Sequence, residues 1–139
     1  MQLNASTLLV IDDDASVRQA IVSHLESCGF AVLSADSVEQ GQALLDSHAP
    51  ELVICDLNMA GRSGLGLVQA LSTRAPLLPL VVLSDSGDMH EVVEAVRLGA
   101  SDYLIKPLAD LLVVEHAVRR SLDRAQLRSE NQRIRERLE

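Results

Sequence analysis

Residues 8–14 of this 139-residue chain read LLVIDDD, four apolar residues followed at once by three aspartates. Three more apolar runs end in a polar side chain: residues 52–56 read LVICD, residues 80–85 read LVVLSD and residues 103–106 read YLIK. Unbroken apolar runs of this length are typical of strands covered on both faces. We therefore predict parallel strands whose carboxyl ends meet at one edge of a sheet, where open α/β sheets place their functional sites.

Amphipathic stretches separate these runs and predict helices, and residues 31–35 supply a fifth strand. Asp14 precedes the first helix and is predicted to cap it, while Ser37 with Gln40 forms a capping box for the second. The order βαβαβαβαβα predicts an α/β fold, a flavodoxin-like (βα)5 doubly wound parallel sheet. Its strand order would be 2-1-3-4-5, with the switch point between strands 1 and 3.

The last helix is predicted to continue far beyond the sheet, from about Leu108 to Leu138, because this stretch has no Gly and no Pro after residue 107. At 1.5 Å per residue it would be roughly 45 Å long. We assign residues 1–120 to one domain and residues 121–139 to a helical linker that begins a coiled coil and leads toward an output domain. A heptad seam with acid–base pairs beside it supports this, though a solvated charged helix fits the pattern as well; the seam residues are Leu127, Asn131, Ile134 and Leu138.

The charge distribution argues against nucleic-acid binding by the body of the chain. The net charge is −8, which divides into −11 over residues 1–118 and +3 over residues 119–139. An acidic body repels phosphates but suits a divalent cation. The chain also has no apolar span of 18 residues, so we expect a cytoplasmic protein that does not enter membranes.

We assign no ligand role to the cysteines or the histidines, and the histidines show no ligand spacing among themselves. Cys28 and Cys55 are interpreted as reduced, small apolar residues. The four histidines are scattered along the chain and are assigned no functional role.

The polar ends of the strands predict a magnesium site with a nucleophile. Three neighbouring carboxylates, Asp12, Asp13 and Asp56, repel one another unless a hard divalent ion such as Mg²⁺ lies between them. An aspartate can attack phosphorus to give an acyl phosphate. Lys106, the only lysine in the chain, would hold the phosphoryl oxygens, and Ser84 would donate a hydroxyl hydrogen bond to them.

Four motifs in this order resemble a response-regulator receiver domain of the chemotaxis-regulator type: LLVIDDD, LVICDLNMAGRSG, LVVLSDS and GASDYLIKP. The resemblance covers residues 7 to about 120. It implies that Asp56 is the phosphoacceptor and that Asp13 and Asp56 ligate Mg²⁺, with the backbone carbonyl of Asn58 as a further ligand and Asp12 acting through water. The protein would then be a phosphoprotein of a two-component phosphorelay, not a dedicated enzyme, that phosphorylates itself from a donor and slowly loses the phosphoryl group.

The resemblance also implies a switch and a set of partners. Ser84 corresponds to the switch hydroxyl, Tyr103 to the aromatic residue that rotates, and Lys106 to the phosphate-binding lysine, followed by a cis bond to Pro107. The partners would be a histidine kinase or phosphotransfer protein, a C-terminal output domain or effector, and possible second copies through the final helix. The final segment resembles receivers that lead to a phosphatase-like output, including stationary-phase sigma-factor regulators.

Two residues depart from the family pattern. Ala60 stands where the family usually has Pro, which should loosen the loop after Asp56. Asp85 stands where a small residue is usual, and its charge is expected to alter the rates of phosphorylation or dephosphorylation. Comparing acetyl-phosphate labelling and decay of Asp85→Ala with those of the parent tests this, and unchanged rates would refute it.

Three alternatives remain open from the sequence. A receiver-like module that binds partners without phosphorylation keeps the same fold. A haloacid-dehalogenase-type phosphohydrolase would use Asp12 and Asp14, but it needs a further acidic pair after Lys106 and leaves Asp56 unexplained. A flavodoxin-like mononucleotide binder would need phosphate-binding donors in place of the three aspartates.

Overall fold

Five parallel strands form one sheet in a computed structural model that describes residues 6–59, 62–85 and 89–138, without the side chains of residues 62, 63 and 138. The strand order is β2-β1-β3-β4-β5, as predicted. The strands are β1 (Thr7–Ile11), β2 (Ala31–Ala35), β3 (Leu52–Asp56), β4 (Leu80–Asp85) and β5 (Asp102–Lys106). A separate two-residue antiparallel pair, Asn58–Met59 with Arg62–Ser63, follows β3.

Helices cover both faces of the sheet, and the core is divided accordingly. On one face α1 and α5 bury residues such as Ile21 and Val114 against alternate strand residues. On the other face α2, α3 and α4 enclose a second aliphatic cluster that includes Val68 and Ala95. The helices are α1 (Ala15–Ser27), α2 (Val38–His48), α3 (Leu65–Arg74), α4 (Met89–Arg97) and α5 (Leu112–Leu138).

The strand register brings the polar strand ends to one edge. Ile11 pairs with Cys55, so Asp12 and Asp56 follow side by side at the ends of β1 and β3. Asp85 pairs with Lys106 across β4 and β5. The carboxylates and the lysine therefore converge, although they are up to 94 residues apart in the numbering.

Local capping follows the sequence prediction with one difference. The Asp14 side chain accepts hydrogen bonds from the backbone of Ser16 and Val17 at the start of α1. Ser37 Oγ accepts from the backbone of Gln40, but the Gln40 side chain accepts from the backbone of Asp36 rather than from that of Ser37. The hydrogen bond from the backbone to the Gln40 side chain therefore starts one residue before the position that a capping box requires.

The predicted start of the last helix was wrong. Helix α5 begins at Leu112 rather than near Leu108, and the Asp110 side chain accepts a hydrogen bond from the backbone of Leu112. The preceding Lys106–Pro107 bond is cis. Helix α5 has 27 residues, about 40 Å at the usual rise, and it still extends past the sheet.

Along the described ranges, no helix combines the length and the apolar character needed to cross a bilayer.

Candidate functional site

Asp56 is a buried carboxylate held on both of its oxygens. It ends β3 and is 1% exposed. Its Oδ1 accepts a hydrogen bond of 2.9 Å from the backbone N–H of Asn58, and its Oδ2 accepts one of 2.9 Å from Lys106 Nζ. The carboxylate therefore has a fixed orientation at the end of the central strand.

Asp12 lies beside it and is also buried. Its Oδ1 accepts from the backbone N–H of Asp14 at 2.9 Å. Its Oδ2 lies 3.0 Å from Lys106 Nζ, yet this buried oxygen has no hydrogen bond among the described residues. Lys106 therefore pairs with both carboxylates, and Asp12 Oδ2 keeps a lone pair that no other group among the described residues occupies.

The acidic cluster fits a hard divalent cation. Asp12, Asp13 and Asp56 place one oxygen each within 4.8 Å of one another, and Asp13 is the exposed member of the cluster. Carboxylate oxygens and retained waters are the ligands that Mg²⁺ prefers. The available lone pair on Asp12 and the accessible Asp13 carboxylate satisfy that chemistry.

The pKa of Asp56 is raised mainly by burial, and the pKa of Lys106 is raised by its contacts with neighbouring carboxylates. Burial is the largest cause that raises the pKa of Asp56, and the charge of Asp12 adds to it, while the contacts of Asn58 and Lys106 act in the opposite direction. For Lys106, burial lowers the pKa, but the contacts with Asp56 and Asp12 outweigh it and the pKa is raised. The lysine is therefore a permanent cation beside Asp56, a carboxylate whose negative charge is disfavoured by burial.

Ser84 and Asp85 lie at the neighbouring strand end. The Ser84 side chain is buried and its Oγ donates a 3.2 Å hydrogen bond to the backbone carbonyl of Asp85. The Asp85 residue is exposed, in keeping with a charge at the entrance of the site. The effect of that charge on rates stays a prediction.

Asn58 connects the site to α4, a link that the sequence did not reveal. Its side-chain Nδ2 donates to Glu91 Oε1 at 2.9 Å, and its Oδ1 accepts from the backbone N–H of Asp85 at 3.1 Å. One amide therefore joins the segments that follow β3 and β4 to the first turn of α4. No motif marked Glu91, because its partner lies 33 residues earlier in the chain.

Tyr103 lies on β5 and is 39% exposed. Val93 and Val96 of α4 and Val113 of α5 are likewise large apolar side chains that are exposed. Ala60, the other departure from the family pattern, lies outside the described residues.

A second cluster of potential ligands includes one of the four histidines. His24 Nε2 lies 3.0 Å from Glu115 Oε1, and Cys28 offers a sulfur to the same group. The spacing of His24 and Cys28, four residues apart at the end of α1, places both on one side of the helix. That spacing was the available signal, but the third member comes from α5, 91 residues away from His24.

The sequence matches the family "Response regulator receiver domain" over residues 8–118. The chain belongs to this family. Receiver domains of this kind are phosphoacceptors of two-component signalling that bind Mg²⁺ at an acidic pocket, and in this chain Asp12, Asp13 and Asp56 form an acidic cluster at the sheet edge. The haloacid-dehalogenase and mononucleotide-binding alternatives are thereby set aside.

Curated relatives agree with this assignment. The chain is 40% identical over 119 residues to the transcriptional regulatory protein FixJ of Azorhizobium caulinodans, covering 84% of this chain and 54% of that protein. It is 35% identical over 118 residues to the response regulator protein FleR of Pseudomonas aeruginosa, covering 85% and 25% respectively. The chain thus spans only a quarter to about half of these relatives.

Among solved structures, the receiver domain of NtrX from Brucella abortus superposes with a TM-score of 0.79 at 29% identity. The match covers 84% of this chain and 98% of that domain. The fold predicted from the sequence is confirmed.

Proposed function

We propose that this chain is a phosphorylation switch in which Asp56 accepts a phosphoryl group from a histidine kinase or phosphotransfer protein. The observation that carries the proposal is the arrangement of Lys106 between two buried carboxylates, 2.9 Å from Asp56 and 3.0 Å from Asp12. A lysine so placed stabilises both the acidic cluster before transfer and the added negative charge after it.

In the proposed transfer, a carboxylate oxygen of Asp56 attacks phosphorus while the bond from phosphorus to the donor imidazole breaks. The products are an aspartyl phosphate and the free histidine of the kinase. The backbone N–H of Asn58 holds the second carboxylate oxygen, and Lys106 turns its hydrogen bond from Asp56 to a phosphoryl oxygen. Such positioning and charge stabilisation are the main contributions that proteins make to phosphoryl transfer.

Mg²⁺, held by Asp13, Asp56 and the backbone carbonyl of Asn58, with Asp12 acting through water, would neutralise charge on the phosphoryl oxygens. The carboxylates of the chain would fix the position of this ion, and one ion is enough for the proposed transfer. Release of the phosphoryl group by water would be slow, so the chain acts as a timed signal rather than as a dedicated enzyme.

The signal would leave the site through Ser84, Tyr103 and Asn58. The Ser84 hydroxyl exchanges its weak bond to the Asp85 carbonyl for a phosphoryl oxygen, which draws the end of β4 inward. That movement pulls on the Asn58 amide, which is bonded to both Asp85 and Glu91. The consequence is a rearranged surface formed by α4, β5 and α5, with Tyr103 at its centre.

The predicted helical linker, residues 121–139, would carry this change to an output domain or effector. Two apolar seam residues, Leu127 and Ile134, are 60% and 53% exposed. Side chains of this kind are stabilised by a second helix, so we propose a parallel pairing of two copies along the tail.

Beryllium trifluoride, a mimic of the phosphoryl group, tests the switch directly. With Mg²⁺ we expect the parent chain to bind it and its mass in solution to rise toward that of a dimer, whereas Asp56→Asn does neither. Ile134→Lys should prevent the dimer without preventing binding, and Gln132→Lys, an exposed neighbour off the seam, should change neither. No binding by the parent would contradict the proposal and leave the phosphorylation-independent module.

A further inference from the structure

The packing of α1 against α5 creates a group of three potential metal ligands remote from the phosphorylation site. It contains a ring nitrogen of His24, the sulfur of Cys28 and a carboxylate oxygen of Glu115, all within 4.8 Å of one another. His24 lies ten residues beyond Asp14 along α1, about 15 Å of helix. The group is therefore separate from the acidic pocket.

We propose that His24, Cys28 and Glu115 form a binding site for Zn²⁺ that joins α1 to the first turn of α5. Nitrogen, sulfur and carboxylate oxygen are the three ligand types that zinc accepts, whereas Mg²⁺ does not take a thiolate. Three protein ligands leave the fourth position of a tetrahedral ion to water.

The Cys28 sulfur lies within 4.8 Å of the other two ligand atoms, and the distance between His24 and Glu115 requires only a small adjustment. Zinc bonds of about 2.0–2.3 Å place tetrahedral ligand atoms roughly 3.3–3.8 Å apart. His24 Nε2 and Glu115 Oε1 are 3.0 Å apart, so this pair must open by a few tenths of an ångström. The side chains of His24 and Glu115 are 23% and 17% exposed, which gives an ion access and keeps the ligands well fixed.

The charges around His24, Cys28 and Glu115 are compatible with binding of a divalent cation. Arg119 is the neighbouring cation, but its Nε bonds Glu115 Oε2 at 3.1 Å and leaves Oε1 directed at His24. Its guanidinium also lies over the ring of Phe30, 5.2 Å from the centroid, which holds it to one side. On binding, the Cys28 thiol releases its proton and His24 coordinates as neutral imidazole.

The experiment is a titration with Co²⁺, a spectroscopic substitute for zinc, in excess Mg²⁺ to occupy the acidic pocket and with a non-chelating reductant. We expect one equivalent to produce a thiolate-to-metal charge-transfer band, which zinc then displaces. Cys28→Ser should lose the band, although Cys55 is still present. His24→Gln and Glu115→Gln should each weaken binding by about tenfold or more, and His48→Gln should have no effect.

Three results would overturn the proposal. The first is the absence of the band in the parent, and the second is its persistence in Cys28→Ser. The third is loss of the band in Cys28→Ser while His24→Gln and Glu115→Gln both bind cobalt as tightly as the parent. The last would mean that the cysteine binds cobalt by itself. Thermal unfolding of each variant without metal confirms that all four are folded, which is expected because the substituted side chains are partly exposed.

Discussion

Lys106 Nζ lies 2.9 Å from Asp56 Oδ2, a contact between the ends of two strands that are 50 residues apart in the chain. The lysine side chain is 16% exposed and that of Asp56 only 2%. The pair is therefore largely protected from the solvent screening that weakens surface ion pairs.

Lys106→Met should lower the free energy of unfolding by about 2–3 kcal/mol, because it leaves Asp12 and Asp56 buried without a cation. Urea denaturation in the absence of Mg²⁺ measures this. Arg74→Met is the matched control, since Arg74 pairs with Asp46 at the surface and both are more than half exposed. It should cost at most about 0.5 kcal/mol, and equal losses in the two variants would contradict the account.

Asp56→Asn should stabilise the metal-free protein at neutral pH. Burial raises the pKa of Asp56 above its ordinary 3.8, so the folded state binds the proton more tightly than the unfolded state, and ionisation opposes folding. The advantage of the asparagine variant should be complete above the raised pKa and should disappear as the pH falls toward 3.8. Unfolding curves of both proteins across this range decide it, and a gain that grows on acidification would refute it.

Asp13→Asn should abolish the rise in thermal midpoint that Mg²⁺ produces, because Asp13 is the accessible carboxylate of the cluster. Asp14→Asn is the control: Asp14 caps α1 through its side chain, and asparagine caps helices about as well. That variant should keep the full Mg²⁺ response. A retained response in Asp13→Asn would remove this residue from the proposed ligands.

Gly64→Ala should destabilise the fold by about 1–3 kcal/mol through crowding. A Cβ at Gly64 would lie 2.8 Å from the backbone oxygen of Asp56 and 3.0 Å from Leu57 Cα, and neither is a flexible side-chain end. Gly66→Ala, two residues later, meets nothing within 4 Å and should stabilise α3 by about 0.5–1 kcal/mol. Denaturation of the two variants in parallel measures the difference, and the same sign in both would be inconsistent with the close approach at Gly64.

The sequence was most informative where an apolar run is followed directly by a reactive or charged side chain. Four apolar runs and the stretch of residues 31–35 predicted the five strands, and the residues after the four runs predicted which side chains meet at the sheet edge. The start of α5 was missed because Leu108 and Leu111 continue the apolar spacing, while Asp110 caps the helix later. Contacts that depend on packing between distant segments carried no local signal, as with Asn58 and Glu91 or His24 and Glu115.

Acetyl phosphate and Mg²⁺, followed by intact mass and peptide mapping, test the central claim most directly. The parent chain should gain one phosphoryl group, located on Asp56, and should lose it slowly once the donor is removed. Asp56→Asn, and the parent chain with the metal chelated, should gain none. Stable labelling of Asp56→Asn, or no labelling of the parent, would contradict the assignment of Asp56 as the phosphoacceptor.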